Sequence, residues 1–543
     1  MNDGSNKCLP KVALDFIDDV VNKVRYRKKV LQEVRDELTD HFYMALKDCT
    51  TDEEKQQVAE DVIAGFGDYK MLGSLIRRGK KRCRPLWRSV VARTFQVFGL
   101  ILLCIVLYCF WFFLGDASPS VDYLEIINEQ VRPLVLESDN GWPLHEKAIE
   151  LYVKPGYEIE QLQDRLMSEA DFNISDLSED ERDELAKWVE DNIPAWEMFE
   201  KASKKPYCFR QYDTGEPDGE RKWLIHISVP YLRDISNVAK MGVIRSKFAG
   251  QRGDNNAALG DCVTLMKVSR QWQYCSILIE SLVGMSIGSY AYKEAMRVVG
   301  EGELTGSELE FWLKEMSSVF DDGFPGIDLS GERLFTLDAI QHVFTDGGPG
   351  GGHIVPKRFF QLSEMKNEYL MLGAGLVHAG RDKTIEKINE LYDKLDKSML
   401  MSPYEIKEAN VDFDAKLAEL PVHRYLLIHW MLPALSRVRM MRFENKAVYE
   451  AMLTVFAIKR WQAQKGVLPG DLNVLVEDGL LDELPDDPYS AGSLVYRVID
   501  GNFTLYSVGR NFEDNNGWGG TDSPGRFKYF RDDGDGVFWR AVE

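Results

Sequence analysis

No cysteine pair in this chain has the spacing of a metal or redox centre. The eight cysteines include no C-x-x-C, which leaves neither a zinc ribbon nor a thioredoxin-type site to expect. The eight histidines include no H-E-x-x-H. His342 and His353 flank a glycine run, and His423 and His429 lie six apart, and neither arrangement has zinc-ligand spacing by itself. That run, Gly347-Gly-Pro-Gly-Gly-Gly352, lacks the preceding strand and following Lys-Ser/Thr of a phosphate loop, so it reads as a flexible or exposed connection. An excess of positive charge is missing too. With 66 Lys and Arg against 87 Asp and Glu, the net charge is −21, which argues against general nucleic-acid binding, since that needs a basic face. No catalytic set emerges from these motifs.

What is present is a folded, unevenly charged chain of 543 residues, long enough for two to four domains. Residues 1–92 carry 18 Lys or Arg against 15 Asp or Glu, whereas the remainder carries 48 against 72. Between the two lies Phe95 to Leu114, 20 residues whose one polar side chain is Gln96. As a helix it is about 30 Å long, the thickness of a bilayer's hydrocarbon core. Eight Lys or Arg crowd positions 77–93, among them Cys83's neighbours Arg82 and Arg84, and Asp116, Asp122, Glu125 and Glu129 follow the segment. The positive-inside rule leaves the N-terminus in the cytoplasm. Trp87, Tyr108 and Trp111 are the expected interfacial aromatics. The first 30 residues have no apolar core and contain Asp15, Asp18 and Asp19, so the segment itself is expected to act as a signal anchor.

The N-terminal part reads as three or four short helices over 11–78. Val30, Val34, Leu38, Phe42 and Ala45 share one helical face. Thr51-Asp-Glu-Glu54 is a capping box that opens the next helix, and Gly65-Phe-Gly-Asp68 closes it, with Asp68 placed to cap its successor. The string Glu33-Val-Arg-Asp-Glu-Leu-Thr-Asp-His41, with that box and Phe66-Gly67-Asp68, resembles the permease-prefix or HAAS-type helical domain. The resemblance covers about 65 residues and implies a regulatory or partner-binding cytoplasmic module without catalysis.

Residues 120–445 are mainly helix. Apolar periodicity predicts helices around Ile235–Phe248, from Ala257 to Met266, and from Ile277 to Gly300, with Gly250-Gln-Arg-Gly-Asp-Asn255 breaking the first from the second. The result is a stack of helical hairpins with a broad surface, without a strict 34-residue period. Gly284-Met-Ser286-Ile-Gly288 fits the G-x-S-x-G of serine hydrolases, but it sits in a helical pattern instead of the strand-to-helix turn that motif needs. Small residues admitting a neighbouring helix are the favoured reading, and an exported hydrolase with Ser286 as nucleophile is the alternative. Cys208, Cys262 and Cys275 follow the apolar segment and leave room for one disulfide at most or for three free thiols.

The last hundred residues are the most patterned. A helix is expected from Val448 to Gln464, ending at Lys465-Gly466. Asp500-Gly501 joins strand Leu494–Ile499 to strand Asn502–Val508 as a type I′ turn. An acidic tail follows, with Glu513, Asp514, Asp522 and Arg531-Asp-Asp-Gly-Asp-Gly536. Gln462-Ala-Gln-Lys-Gly466, Leu484-Pro-Asp-Asp-Pro488 and Leu505-Tyr-Ser-Val-Gly509 together resemble the C-terminal half of the major pseudopilin of type II secretion. The same ending is similar to that of uncharacterised exported helical proteins of planctomycete-type bacteria. The pseudopilin resemblance implies a Ca²⁺ site built from the Leu505 carbonyl, the Ser507 hydroxyl and the carboxylates of Asp514, Asp533 and Asp535. Oxygen ligands of this kind suit that ion. Pseudopilins polymerise through a hydrophobic helix, and here the corresponding helix carries Lys459 and Arg460, so pseudopilus formation is not expected.

The expected fold is therefore mainly α: a cytoplasmic helical domain with a basic juxtamembrane segment (1–92), one transmembrane helix (93–115), an exported helical-hairpin domain (116–445) and a small α+β module (446–543). The expected role is a single-pass interaction or scaffold protein of the bacterial cytoplasmic membrane. Its partners are the lipid bilayer and proteins on both sides, with no nucleic acid and an open oligomeric state. A transmembrane signal transducer is the other alternative.

Overall fold

A computed structural model describes residues 9–82, 86–132, 136–169, 172–215, 223–363, 375–432, 435–521 and 529–541. Cys8, Cys83, Arg84 and Asp522, and the side chain of Trp87, lie outside the described residues. Among the described residues the protein is mainly helical, with one three-stranded sheet. It divides into two compact units, 1–111 and 112–543.

The first unit holds α1 (Lys11–Val24), α2 (Lys28–Ala45), α3 (Asp52–Phe66) and α4 (Tyr69–Arg82). The Thr51–Glu54 capping box forms in both directions, satisfying donors at the start of α3 that have no helical partner. Gly67 ends α3 at φ 71°, a conformation glycine adopts without a Cβ clash, and Asp68 Oδ1 accepts the Lys70 N–H at 2.9 Å. Val34, Leu38 and Phe42 are buried, as the α2 pattern predicts. Phe16, Phe42 and Phe66 meet at ring separations near 6 Å, a spacing favoured by aromatic pairs.

Leu86–Phe113 is one helix, α5. Its stretch Val90–Phe113 is long and apolar enough to cross a membrane, and only 6% of its most apolar window is buried within the protein. A core helix of a soluble domain has that surface covered; this one leaves Phe95, Leu100, Leu103 and Phe110 bare.

The second unit runs through α6 (Tyr123–Val131), α7 (Trp142–Leu151), α8 (Tyr157–Ser168), α9 (Glu179–Asp191), α10 (Ile193–Ser203), α11 (Tyr231–Gln251), α12 (Asn255–Gln273), α13 (Leu278–Glu301), α14 (Gly306–Ser317), α15 (Ser330–Val343), α16 (Pro356–Ser363), α17 (Arg381–Met399) and α18 (Leu435–Lys465), with shorter helical turns between them. The hairpin pairs α11–α12 and α12–α13 form where the periodicity places them. A Cβ on Gly284 would lie 2.8 Å from the Gln273 backbone nitrogen and 2.9 Å from the Ser269 carbonyl, and one on Gly288 would lie 2.6 Å from Ser269 Oγ. These glycines let α13 lie against α12 at backbone distance. Asn445 ties α18 to α13 by donating to Met285 O at 3.0 Å and Ser289 Oγ at 2.7 Å.

One hydrophobic core runs from Ala148 through these helices to Phe503, Leu505 and Phe538 of the C-terminal part. There β1 (Val495–Ile499), β2 (Asn502–Ser507) and β3 (Gly536–Trp539) form an antiparallel sheet in the order β1-β2-β3. Asp500 and Gly501 both take positive φ, as a type I′ turn requires. The third strand is a finding beyond the sequence pattern: four residues after a glycine-rich acidic loop carry too little alternation to declare themselves.

The glycine run at 347–352 is a folded knot. Gly347 N–H donates to Gly351 O at 3.1 Å, Arg381 N–H donates to Gly352 O at 3.1 Å, and Arg381 pairs with Asp346 at 2.9 Å. Next to it, His353 Nε2–H donates to the Phe112 carbonyl at 2.8 Å with the two rings 5.3 Å apart, while Arg358 grips Asp116 through two bonds of 3.0 and 3.1 Å. Phe112, the first residue of this unit, is buried.

Candidate ligand-binding cleft

A cavity of the second unit opens between helices and sheet, with a volume of about 780 Å³. Ligand sites fall in this size range. Leu166 and Met167 at the end of α8, Val243 and Lys247 of α11, and the α13 face from Tyr290 to Glu301 make one wall. Trp518–Gly520 and Tyr529 with β3 and Arg540 make the other. Residues at i, i+3, i+4 and i+7 of a helix share a face, which is how Tyr290, Lys293, Glu294 and Arg297 come to line one side. The walls are joined at Gly300, where a Cβ would stand 2.9 Å from the Trp539 ring, and Trp539 stacks on Phe503 at 5.4 Å.

Buried charge lies at the floor. Glu294 is 3% exposed and accepts from Arg297 Nη2 at 2.6 Å, from Arg297 Nε at 3.0 Å and from Ser246 Oγ at 3.0 Å. Lys247 Nζ stands 3.7 Å from it, and Arg297 also pairs with Glu301. Burial pushes the Lys247 amine down from its ordinary value, and the Glu294 charge opposes that push. The carboxylate is thus surrounded by cations and a hydroxyl, as a buried charge must be. The cleft mouth is different: Trp518 is 52% exposed and Arg540 is exposed, with its guanidinium beside Gly519. Such a cavity can hold a ligand by stacking and by charge.

The residues the sequence points to for Ca²⁺ lie in the same C-terminal part, where their side-chain oxygens have partners within the protein. Leu505 is buried in the middle strand β2. Ser507 Oγ donates to Asp487 Oδ1 at 2.6 Å, and Asp487 Oδ2 accepts the Val508 N–H at 3.0 Å. Asp514 accepts from Arg497 at 2.8 Å and from the Tyr506 hydroxyl at 2.9 Å. Asp533 is bound by Thr521, and Asp535 accepts the Asn515 and Gly517 N–H groups at 3.0 and 2.6 Å. Among the described residues no three His, Cys, Asp or Glu side chains gather as a metal site.

Ser286 sits in the middle of α13, half-buried, between the two glycines that face α12. Cys208, Cys262 and Cys275 are free thiols here, and burial raises all three well above the usual thiol range. Cys275 lies beside Glu280, a buried carboxylate held by the Tyr212 hydroxyl at 2.6 Å and the Tyr231 hydroxyl at 2.5 Å. His342 is buried against Asp338 and stacks on Trp223 at 4.3 Å, the place of a core histidine.

The sequence reading missed the cleft, whose walls come from residues 166–301 and 518–540. The available signal was the α13 face itself, where Tyr290, Lys293, Glu294, Arg297 and Glu301 set alternating charge beside an aromatic. Compared with known proteins, the chain matches no family model, no curated protein sequence and no solved structure.

Proposed function

We propose that this chain is a membrane-anchored, non-enzymatic interaction protein. On this reading α5 crosses the bacterial cytoplasmic membrane once, the helices of residues 1–92 form a cytoplasmic regulatory module of the permease-prefix kind, and the acidic mass beyond residue 116 is exported and binds a protein partner. The bare apolar surface of α5 carries it: lipid is the solvent that such a surface matches. The charge asymmetry across the segment supports the orientation. The cleft supports the binding role, since it offers stacking surface and charge. Its buried charges are already paired with one another, which suits holding a ligand better than transforming one.

The test is site-directed photo-cross-linking in cells, with p-benzoylphenylalanine in place of Trp518. One reproducible protein adduct, absent when the photoprobe is placed at exposed Glu184 of α9, supports the reading; adducts equal at both positions oppose it.

A signal transducer is the second reading. The observation favouring it is Phe112, near the end of α5, which is buried and hydrogen-bonded to His353 within the second unit. A single membrane helix transmits a signal through rearrangement of an oligomer, so a strictly monomeric protein in native membranes counts against it. Ca²⁺ binding by the acidic loop is a separate proposal, carried by the pseudopilin resemblance alone.

A further inference from the structure

We propose that the cleft takes an extended acidic segment of a partner protein, laid along the outer edge of β3. The proposal rests on the partner-binding reading and names the chemistry of the occupant.

The first observation is topological. β3 ends the sheet order β1-β2-β3, so its outer edge pairs with no other described strand. Beside it the Trp518 carbonyl accepts the Asp535 N–H at 2.8 Å, just before the strand begins. Val537, Phe538, Trp539 and Arg540 then line the cleft. An edge that opens into a cavity offers main-chain donors and acceptors at peptide spacing.

The second is charge. Lys247, Lys293, Arg297, Arg531 and Arg540 line the cavity, against the carboxylates of Glu169, Glu294 and Glu301. Lys247 and Arg297 are held by Glu294, and Arg297 also by Glu301, so the five cations exceed the three carboxylates by two. In the chain beyond residue 92, where acidic residues outnumber basic ones 72 to 48, this cavity has the opposite balance. A local positive cleft on an acidic body draws an anionic partner and repels a cationic one.

The third is the exposed indole of Trp518 at the mouth, with Tyr290 and Trp539 nearby in the lining. Exposed aromatics beside arginine are anchors for apolar side chains at interfaces. An acidic polysaccharide would use the cations and the rings, but it has no backbone to pair with a strand edge.

The experiment uses the full chain in lipid nanodiscs and a fluorescein-labelled octapeptide of alternating Glu with Phe or Val, read by fluorescence anisotropy. Its analogue with Lys for every Glu and the polysaccharide alginate are the comparisons. The acidic peptide is expected to bind, with the Lys analogue weaker by about tenfold or more and alginate unable to displace it. Arg540→Glu and Trp518→Ala each lower affinity by about fivefold or more with an unchanged melting temperature, since both side chains are exposed. Equal binding of the two peptides, insensitivity to both variants, or binding of alginate in place of the peptide overturns the proposal. If cross-linking at position 518 still captures one protein while the peptide fails to bind, the occupant is wrong and the partner-binding reading stands. If both fail, both fall.

Discussion

His145 sits at the centre of the second unit with no solvent exposure, donating from Nε2 to Gln271 Oε1 at 3.1 Å. Burial pulls its pKa down to about 4, and the Gln271 bond resists that pull. An unfolded histidine titrates near 6.5, so below that pH the unfolded chain takes up a proton that the folded chain refuses. The stability this represents is complete above about pH 6.5 and is lost as pH falls towards about 4, by up to about 3 kcal/mol. Asp261 and Glu450, both raised to about 7 by burial, act in the opposite sense over an overlapping window. The measurement is therefore a difference. The stability of wild type minus that of His145→Gln, from urea titrations at pH 4 to 7, should shrink as pH falls; a constant difference contradicts the assignment. Asp487 makes a second residue-scale prediction. It accepts from Ser507 Oγ and from the Val508 and Tyr489 N–H groups, joining the loop after Leu484-Pro485 to β2. Asp487→Ala leaves these buried donors unpaired and should cost about 3 kcal/mol in the same titration.

Among the elements, the α12–α13 pair is the most tightly specified. Gly284 faces backbone atoms of Gln273 and Ser269, which cannot swing aside as a flexible side chain does. Gly284→Ala should destabilise the second unit by about 2 kcal/mol or more, seen as a lowered melting temperature, whereas Ser286→Ala should change little. A serine-reactive probe that labels wild type and not Ser286→Ala would reverse the non-enzymatic reading. The acidic loop makes another case. Its carboxylates are occupied by Arg497, Tyr506, Thr521 and backbone N–H groups, so Ca²⁺ bound there has to displace some of them, and an EDTA-insensitive melt opposes that proposal. A Ca²⁺-dependent gain, about 2.7 kcal/mol at 100 times Kd, would instead support the pseudopilin resemblance and a rearranged loop. Local elements were legible in the sequence for physical reasons. The Thr51 capping box, the periodicity of α11 to α13 and the Asp500-Gly501 turn each depend on residues a few positions apart. α18 begins 13 residues before the expected Val448, a stretch whose helical pattern is masked by Arg437, Arg439, Arg442 and Lys446 among its apolar positions. The cleft was illegible because Lys247, Glu294 and Trp539 become neighbours only when the core closes.

At the scale of the whole molecule, the account turns on α5. It is a continuous helix, long and apolar enough to cross a membrane, with its surface left bare, and the function proposed above has it cross the bilayer once, with the basic residues before it inside and the acidic residues after it outside. Everything proposed for the cleft presupposes that the second unit is exported and reachable by a partner. The most direct test places one epitope tag before residue 9 and another after residue 541 and adds protease to spheroplasts. The account predicts digestion of the C-terminal tag, and a membrane-bound fragment that keeps the N-terminal tag until the membrane is dissolved. Protection of both tags, or loss of the N-terminal one alone, would contradict it.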